Sequence, residues 1–202
     1  MVSAAKRPPF HRQLRSATHG AHVRLNRHPL LCQLTRPALD LTTYKSVLER
    51  YWSFYKSAEV VIRDCIAEGM TAFNYGERYK TDWLAEDLSR LGFKPVENGC
   101  YRNGISFRSP RTEAELVGML YPLEGSTLGG QVISNRLWDS LGLDTTNGGR
   151  FFNGYGEQTG LYWAEFLDYA DQSLRTPEEL NQACGFSQQL FAQFEAHLDG
   201  RD

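Results

Sequence analysis

No stretch of this chain approaches the run of about 18 apolar residues that a membrane span needs. Alternating strand patterns, internal repeats and low-complexity tracts are missing as well, which excludes repeat and β-rich architectures. No P-loop or dinucleotide fingerprint is present: the glycines between Gly125 and Gly130 follow a helical pattern and no Lys-Ser/Thr comes after them. Cysteine is scarce. Cys32, Cys65, Cys100 and Cys184 are scattered without metal-site spacing, and a chain of this size does not need disulfides, so reduced thiols in the cytoplasm are expected. An excess of one charge is also lacking. Lys and Arg number 22 against 24 Asp and Glu, for a net charge of -2, so nothing attracts nucleic acid or an anionic membrane in general. Met1 to His11 is basic and contains proline but has none of the apolar core of a secretory signal. It reads as a loose tail (1–11) ahead of one domain at 12–198.

What is there is helical. Hydrophobic residues make up 41% of the 202 and charged residues 23%, ordinary for a globular domain with a sizeable core. Apolar groups recur at helical spacing over 12–25, and again over 43–68, with Thr42 or Thr43 as cap and Gly69 as stop. A shorter helix fits Thr81 to Leu91, ended by Gly92. Pro95 to Arg111 reads as a surface connection. Thr112 with Glu115 predicts a capping box opening a helix that runs to about Leu141. Residues 145–156 read as loop, and 158–171 and 177–198 as the last helices, with Thr176-Pro177-Glu178-Glu179 as a start signal. The expectation is a single all-α domain.

Two segments carry chemistry. In Leu123-Glu124-Gly125-Ser126-Thr127-Leu128-Gly129-Gly130-Gln131, three glycines fall within six residues of an otherwise helical run. Each costs about 1 kcal/mol against alanine there, so a bare backbone must be needed. It serves either close helix packing or a flat ligand lying against a helix that bends at Gly125 and Gly129-Gly130. In Leu14-Arg15-Ser16-Ala17-Thr18-His19-Gly20-Ala21-His22, helical spacing puts His22 on one face with Leu14, Thr18, Ala21 and Leu25. A lone histidine on such a face is more often structural than a ligand. The functional reading is a neutral imidazole that binds a metal, with Ala17, Gly20 and Ala21 making room for a planar group. His11, His28 and His197 read as structural or solvent-facing, with His28 the main competitor as a metal ligand.

Taken together, Leu14-Arg15-x-Ala17-Thr18-x-x-x-His22 followed by His28-Pro29-Leu30-Leu31, and Glu124-Gly125-Ser126-Thr127-Leu128-Gly129-Gly130-Gln131 about a hundred residues later, resemble the paired signatures of heme oxygenases. The form is similar to that of bacterial members, including those paired with bacteriophytochromes, and the resemblance spans about Gln13 to Leu198. It implies a helical bundle with heme sandwiched between a proximal helix and a kinked distal helix, His22 being the proximal iron ligand. Gly125 and Gly129 would lie nearest the porphyrin, Gly130 would permit the bend, and Ser126 and Thr127 would add hydroxyls. Arg15 and, less directly, His19 would meet the propionates, with Thr18 beside them. Tyr162 and Phe166 would wall the heme or serve as plain core aromatics.

The resemblance further implies that heme is cofactor and substrate together. With O2, and electrons from an external reductase or ferredoxin, its ring is opened to biliverdin, carbon monoxide and ferrous iron. A bacteriophytochrome is the implied acceptor of the bilin. One departure stands out. Mammalian-type members carry an aspartate after the first glycine of the motif, where it organises distal water, and this chain has Ser126. That difference leaves open a non-catalytic heme carrier or sensor on the same fold. A helical interaction domain without heme is the third reading.

Overall fold

The helical periodicities become seven helices in a computed structural model, which describes residues 10–93 and 105–201. They are α1 (Phe10–Arg27), α2 (Leu41–Ala67), α3 (Thr81–Arg90), α4 (Glu113–Leu141), α5 (Arg150–Asn153), α6 (Thr159–Ser173) and α7 (Pro177–Leu198). Short 3-10 turns occupy Leu31–Thr35, Gly76–Arg78 and Gly156–Gln158. Among the described residues there is no strand, and no helix is long and apolar enough to cross a membrane. The expected tail at 1–11 and the connection at 95–111 fall largely outside the described residues.

The caps show where local chemistry differed from expectation. Helix α2 begins two residues early, because Asp40 rather than a threonine caps it: its carboxylate accepts from the Thr43 N–H at 2.9 Å and from the Thr43 hydroxyl at 2.8 Å. A carboxylate satisfies the orphan donors of a first turn better than a hydroxyl that is itself donating. At α4, Thr112 accepts from the Glu115 N–H as predicted. The reciprocal half of the box is missing, because the Glu115 carboxylate turns to the Arg111 N–H (2.7 Å) and the Arg108 guanidinium (2.9 Å). The Thr176–Glu179 box of α7 is complete. Gly142 ends α4 at φ 66°, a left-handed conformation suited to glycine.

Helix α7 packs against both α4 and α1. At its crossing with α4, a Cβ on Gly118 would lie closer than 3.0 Å to the Ala183 backbone, so this glycine sets the helix separation. The short α5 falls within the segment read as loop. Asp87, fully buried on α3, holds it by accepting from the Arg150 and Phe151 N–H groups at 2.8 Å each. Burial pushes that carboxyl up to about 6, and the two N–H bonds pull against the shift. No sequence periodicity signals a four-residue helix fixed by a distant carboxylate.

Candidate heme site

Because α1 and α4 both lean on α7, the space between them is left open as a cavity of about 1130 Å³. This exceeds the roughly 300–1,000 Å³ of an ordinary small-molecule site. Helix α1 contributes Arg15, Thr18, His19, His22 and Asn26, and α4 contributes the run from Gly125 to Gly130. Aromatic side chains complete the walls: Tyr51, Phe54 and Tyr55 from α2, Phe151 and Phe152 from α5, Trp163 from α6, and Phe191 and Phe194 from α7.

His22 is exposed to this cavity while Leu14, Thr18, Ala21 and Leu25 of its face are buried. Partial burial, then the positive fields of His19 and Arg15, hold its pKa below the usual histidine range. The neutral imidazole, the form that donates a lone pair to a metal, is therefore favoured. The ring stands edge-on to Phe191, centroids 6.5 Å apart. Its Nδ1 lies 3.3 Å from the Asn26 side-chain amide, whose N–H donates to it. An imidazole that ligates through Nε2 carries its hydrogen on Nδ1. A half-turn of the Asn26 amide would present the carbonyl oxygen to that hydrogen. The competitor His28 has both ring nitrogens engaged, Nε2 with Asp199 at 3.1 Å and Nδ1 accepting from the Leu30 N–H at 3.2 Å.

On the facing wall α4 stays helical through Pro122 and all three glycines, with no left-handed residue among them. The glycines are not equivalent. A Cβ on Gly129 would meet nothing within 4 Å, so this position opens on the cavity. One on Gly125 would touch the Trp163 ring at 3.6 Å. One on Gly130 would fall closer than 3.0 Å to the Phe152 carbonyl oxygen. Gly130 is therefore needed for contact with α5, where the sequence suggested a bend. This difference gives opposite expectations for two neighbouring alanines. Gly129→Ala gains about 1 kcal/mol of helix propensity without a clash, and the melting temperature of the empty protein rises by a few degrees. Gly130→Ala overpacks against backbone, which costs about 1–3 kcal/mol and outweighs the same propensity gain. Thermal melts of the two variants check the pair of signs.

The hydroxyls beside the cavity are used locally. Thr18 donates to Leu14 O at 2.7 Å, Thr127 to Glu124 O at 2.7 Å and Ser126 to Leu123 O at 2.8 Å. Arg15 and His19 line the cavity and form no ion pair among the described residues. Two sequence-predicted residues lie elsewhere. Tyr162 stacks on Tyr155 and donates to Glu77 at 2.8 Å. Phe166 is fully buried in the core against Tyr121 and Trp163. Their helix instead turns Trp163 and Leu167, one position further along, into the cavity. Tyr51 and Tyr55 belong to an i, i+4 stripe that reads as core, and nothing in the pattern marks that its end faces a cavity.

Behind the glycine face sits a buried charge cluster. Glu124 accepts from Arg78 Nη1 at 2.7 Å, Lys80 Nζ at 2.6 Å and the Tyr155 hydroxyl at 3.0 Å. The Glu124, Arg78 and Lys80 side chains are each at most 3% exposed.

An all-α bundle in which a histidine shares a large, aromatic-walled cavity with a bare stretch of helix backbone has room for a flat ligand. The sequence model of the heme oxygenase family matches residues 8–199. The chain belongs to the heme oxygenase family. A heme oxygenase of Xanthomonas campestris pv. campestris is 28% identical over 160 residues, covering 79% of this chain and 91% of that protein. Among solved structures, the NO- and CO-bound heme oxygenase of Neisseria meningitidis superposes with a TM-score of 0.76 at 20% identity, covering 96% of this chain and 92% of that one. Heme oxygenase from Leptospira interrogans gives 0.77 at 16% identity, covering 96% and 100%. At these identities the structural likeness establishes the fold.

Proposed function

We propose that this protein is a cytoplasmic heme oxygenase that cleaves heme to biliverdin, carbon monoxide and ferrous iron, with His22 as the iron ligand. One observation carries the reading: His22, held toward its neutral form, shares a single large cavity with the bare backbone of Gly129. Bound heme would supply an iron centre that takes up O2 and electrons, and a porphyrin ring that is itself the substrate. The chain's own residues do the rest. His22 Nε2 would hold the iron, and Asn26 would fix the ring through Nδ1. Arg15 and His19, cationic or donor groups at the cavity with no ion pair among the described residues, would take the two propionates. The backbone at Gly129 would let the flat ring approach α4, and the aromatic walls would exclude bulk water.

Electrons would come from a separate reductase or ferredoxin. Helix α1 carries Arg12, Arg15, Arg24 and Arg27 and no Asp or Glu, and among the described residues only Arg24 of these is ion-paired, to Glu195. That surface suits an acidic donor protein. The motif form Glu124-Gly125-Ser126-Thr127-Leu128-Gly129-Gly130 supports a role in making bilin chromophore for a bacteriophytochrome. The test is optical. Purified protein with one equivalent of hemin is expected to give a Soret band. With ascorbate or a reductase in air that band should give way to a broad red absorption of biliverdin. A Soret band that forms and then persists would overturn the catalytic reading and leave a heme carrier.

A further inference from the structure

Helix α1 brings two neighbouring imidazoles to the cavity where iron ligation uses one. His19 and His22 both line it and both are exposed. They stand three residues apart on one helix, where side chains start from Cβ atoms about 5–6 Å apart. Rings reaching out from that separation can each bring a nitrogen to one ion, the spacing that a Glu-x-x-His pair uses on the helices of di-iron proteins.

Each ring also has a nitrogen to spare. His22 engages Nδ1 with the Asn26 amide, and its Nε2 has no hydrogen bond among the described residues. His19 forms neither a hydrogen bond nor an ion pair among the described residues. After burial, the field of His19 is the next influence holding His22 below the usual histidine range, ahead of Arg15. The neutral imidazole is the form that binds a metal.

We propose that His19 and His22 form a two-imidazole seat for a divalent first-row metal cation when the cavity holds no heme, so that such a cation and heme exclude one another at His22. The cation site stands on this geometry, and its competition with heme rests on the heme oxygenase reading. Imidazole suits iron, nickel and zinc. Water fills the remaining positions, since among the described residues no group of three or more His, Cys, Asp or Glu is placed to hold a metal. The ferrous ion that the proposed reaction sets free is of this class, and its capture at His22 would hold off the next heme.

Charge on α1 gives the site a sign of its own. Arg15, four residues before His19, repels a cation there and attracts the carboxylates of heme. His11 also lines the cavity, but eight residues along the helix put it about 12 Å from His19, too far to share an ion.

The experiment is a Ni2+ titration of the untagged, heme-free protein by equilibrium dialysis, followed by hemin binding with and without Ni2+, read by the Soret band. One Ni2+ per chain is expected. His19→Ala and His22→Ala each weaken it on the order of tenfold or more, the scale on which a second tethered ligand counts. His11→Ala leaves it unchanged. Arg15→Gln tightens Ni2+ roughly two- to fivefold and weakens hemin, opposite signs from one lost charge. In the wild type, Ni2+ at about ten times its Kd raises the hemin concentration at half-maximal Soret about tenfold, by mass action. The same Ni2+ has little effect on His19→Ala compared with itself. Arg15, His19 and His22 are exposed, so their variants keep the fold, which circular dichroism checks. Fe2+ under nitrogen is the second competitor: competition by both ions assigns the reaction's own product to the site, and competition by Ni2+ alone assigns it an ion from solution. No bound Ni2+, binding that survives His19→Ala, an equal loss in His11→Ala, or bound Ni2+ that leaves hemin binding unchanged would each overturn the inference. A protein that binds Ni2+ in this pattern but forms no Soret band would overturn the heme reading and leave the cation site standing.

Discussion

His22→Ala is expected to abolish the histidine-ligated Soret spectrum and to lower biliverdin formation on the order of 100-fold or more, above the 10–100-fold that losing an outer-shell partner costs a metal site. The reason lies in the inventory of cavity nitrogens. His22 is exposed to the cavity and held toward neutrality, whereas His28 has both ring nitrogens hydrogen-bonded. His197 is 1% exposed and lies 2.7 Å from the Ser53 hydroxyl, away from the cavity lining. Removing the ring leaves a hole that free imidazole can enter. Added imidazole should therefore restore the Soret position and part of the turnover in the alanine variant. An unchanged spectrum in His22→Ala would assign the iron to another residue, with His19 and His11, the other two histidines of α1 on the cavity, the first to test.

Glu124→Ala is expected to be the most destabilising single change, by about 3–5 kcal/mol, because it leaves a buried cation without its carboxylate. Arg78 keeps Glu165 at 2.8 Å and the Tyr162 carbonyl at 3.0 Å. Among the described residues Lys80 Nζ keeps one hydrogen bond, to the Arg78 carbonyl at 2.9 Å, and its place over the Tyr75 and Tyr155 rings, in a side chain 1% exposed. A loss of this size is a large part of the roughly 5–15 kcal/mol by which a domain is stable. The cause is checked by a second substitution. Removing the stranded charge as well, in Glu124→Ala with Lys80→Met, should recover much of the loss in the denaturation midpoint, since the penalty comes from the uncompensated cation. A double variant no more stable than Glu124→Ala would place the loss in packing instead.

Much of the fold was legible because it rests on periodicity. The apolar spacing of α2, α4 and α7 marks long amphipathic helices, and Thr176 to Glu179 marks a start that local hydrogen bonds alone can build. What escaped depends on contacts distant in sequence. Helix α5 exists because Asp87, more than sixty residues earlier, accepts its first N–H groups. The Asp40 cap was missed because a threonine nearby matched the same pattern. At the site, the motif residues on α1 and α4 were readable, since their types are unusual for helices. Trp163 was not, because the rotation of α6 about its own axis, which separates it from Tyr162 and Phe166, is set by tertiary packing. Tyr55 reads as core from its spacing, and only the fold brings its hydroxyl within 2.9 Å of Ser126 at the cavity.

The contact between Gly130 and the Phe152 carbonyl also gears two walls of the cavity together. With no side chain between them, α4 cannot tilt inward at Gly130 without pushing α5, and α5 carries Phe151 and Phe152 into the same space. A displacement of either wall would thus be carried to the other, with its far end tethered through Asp87 to α3. A substitution on α3, remote from the cavity, would then be felt in the cavity's shape.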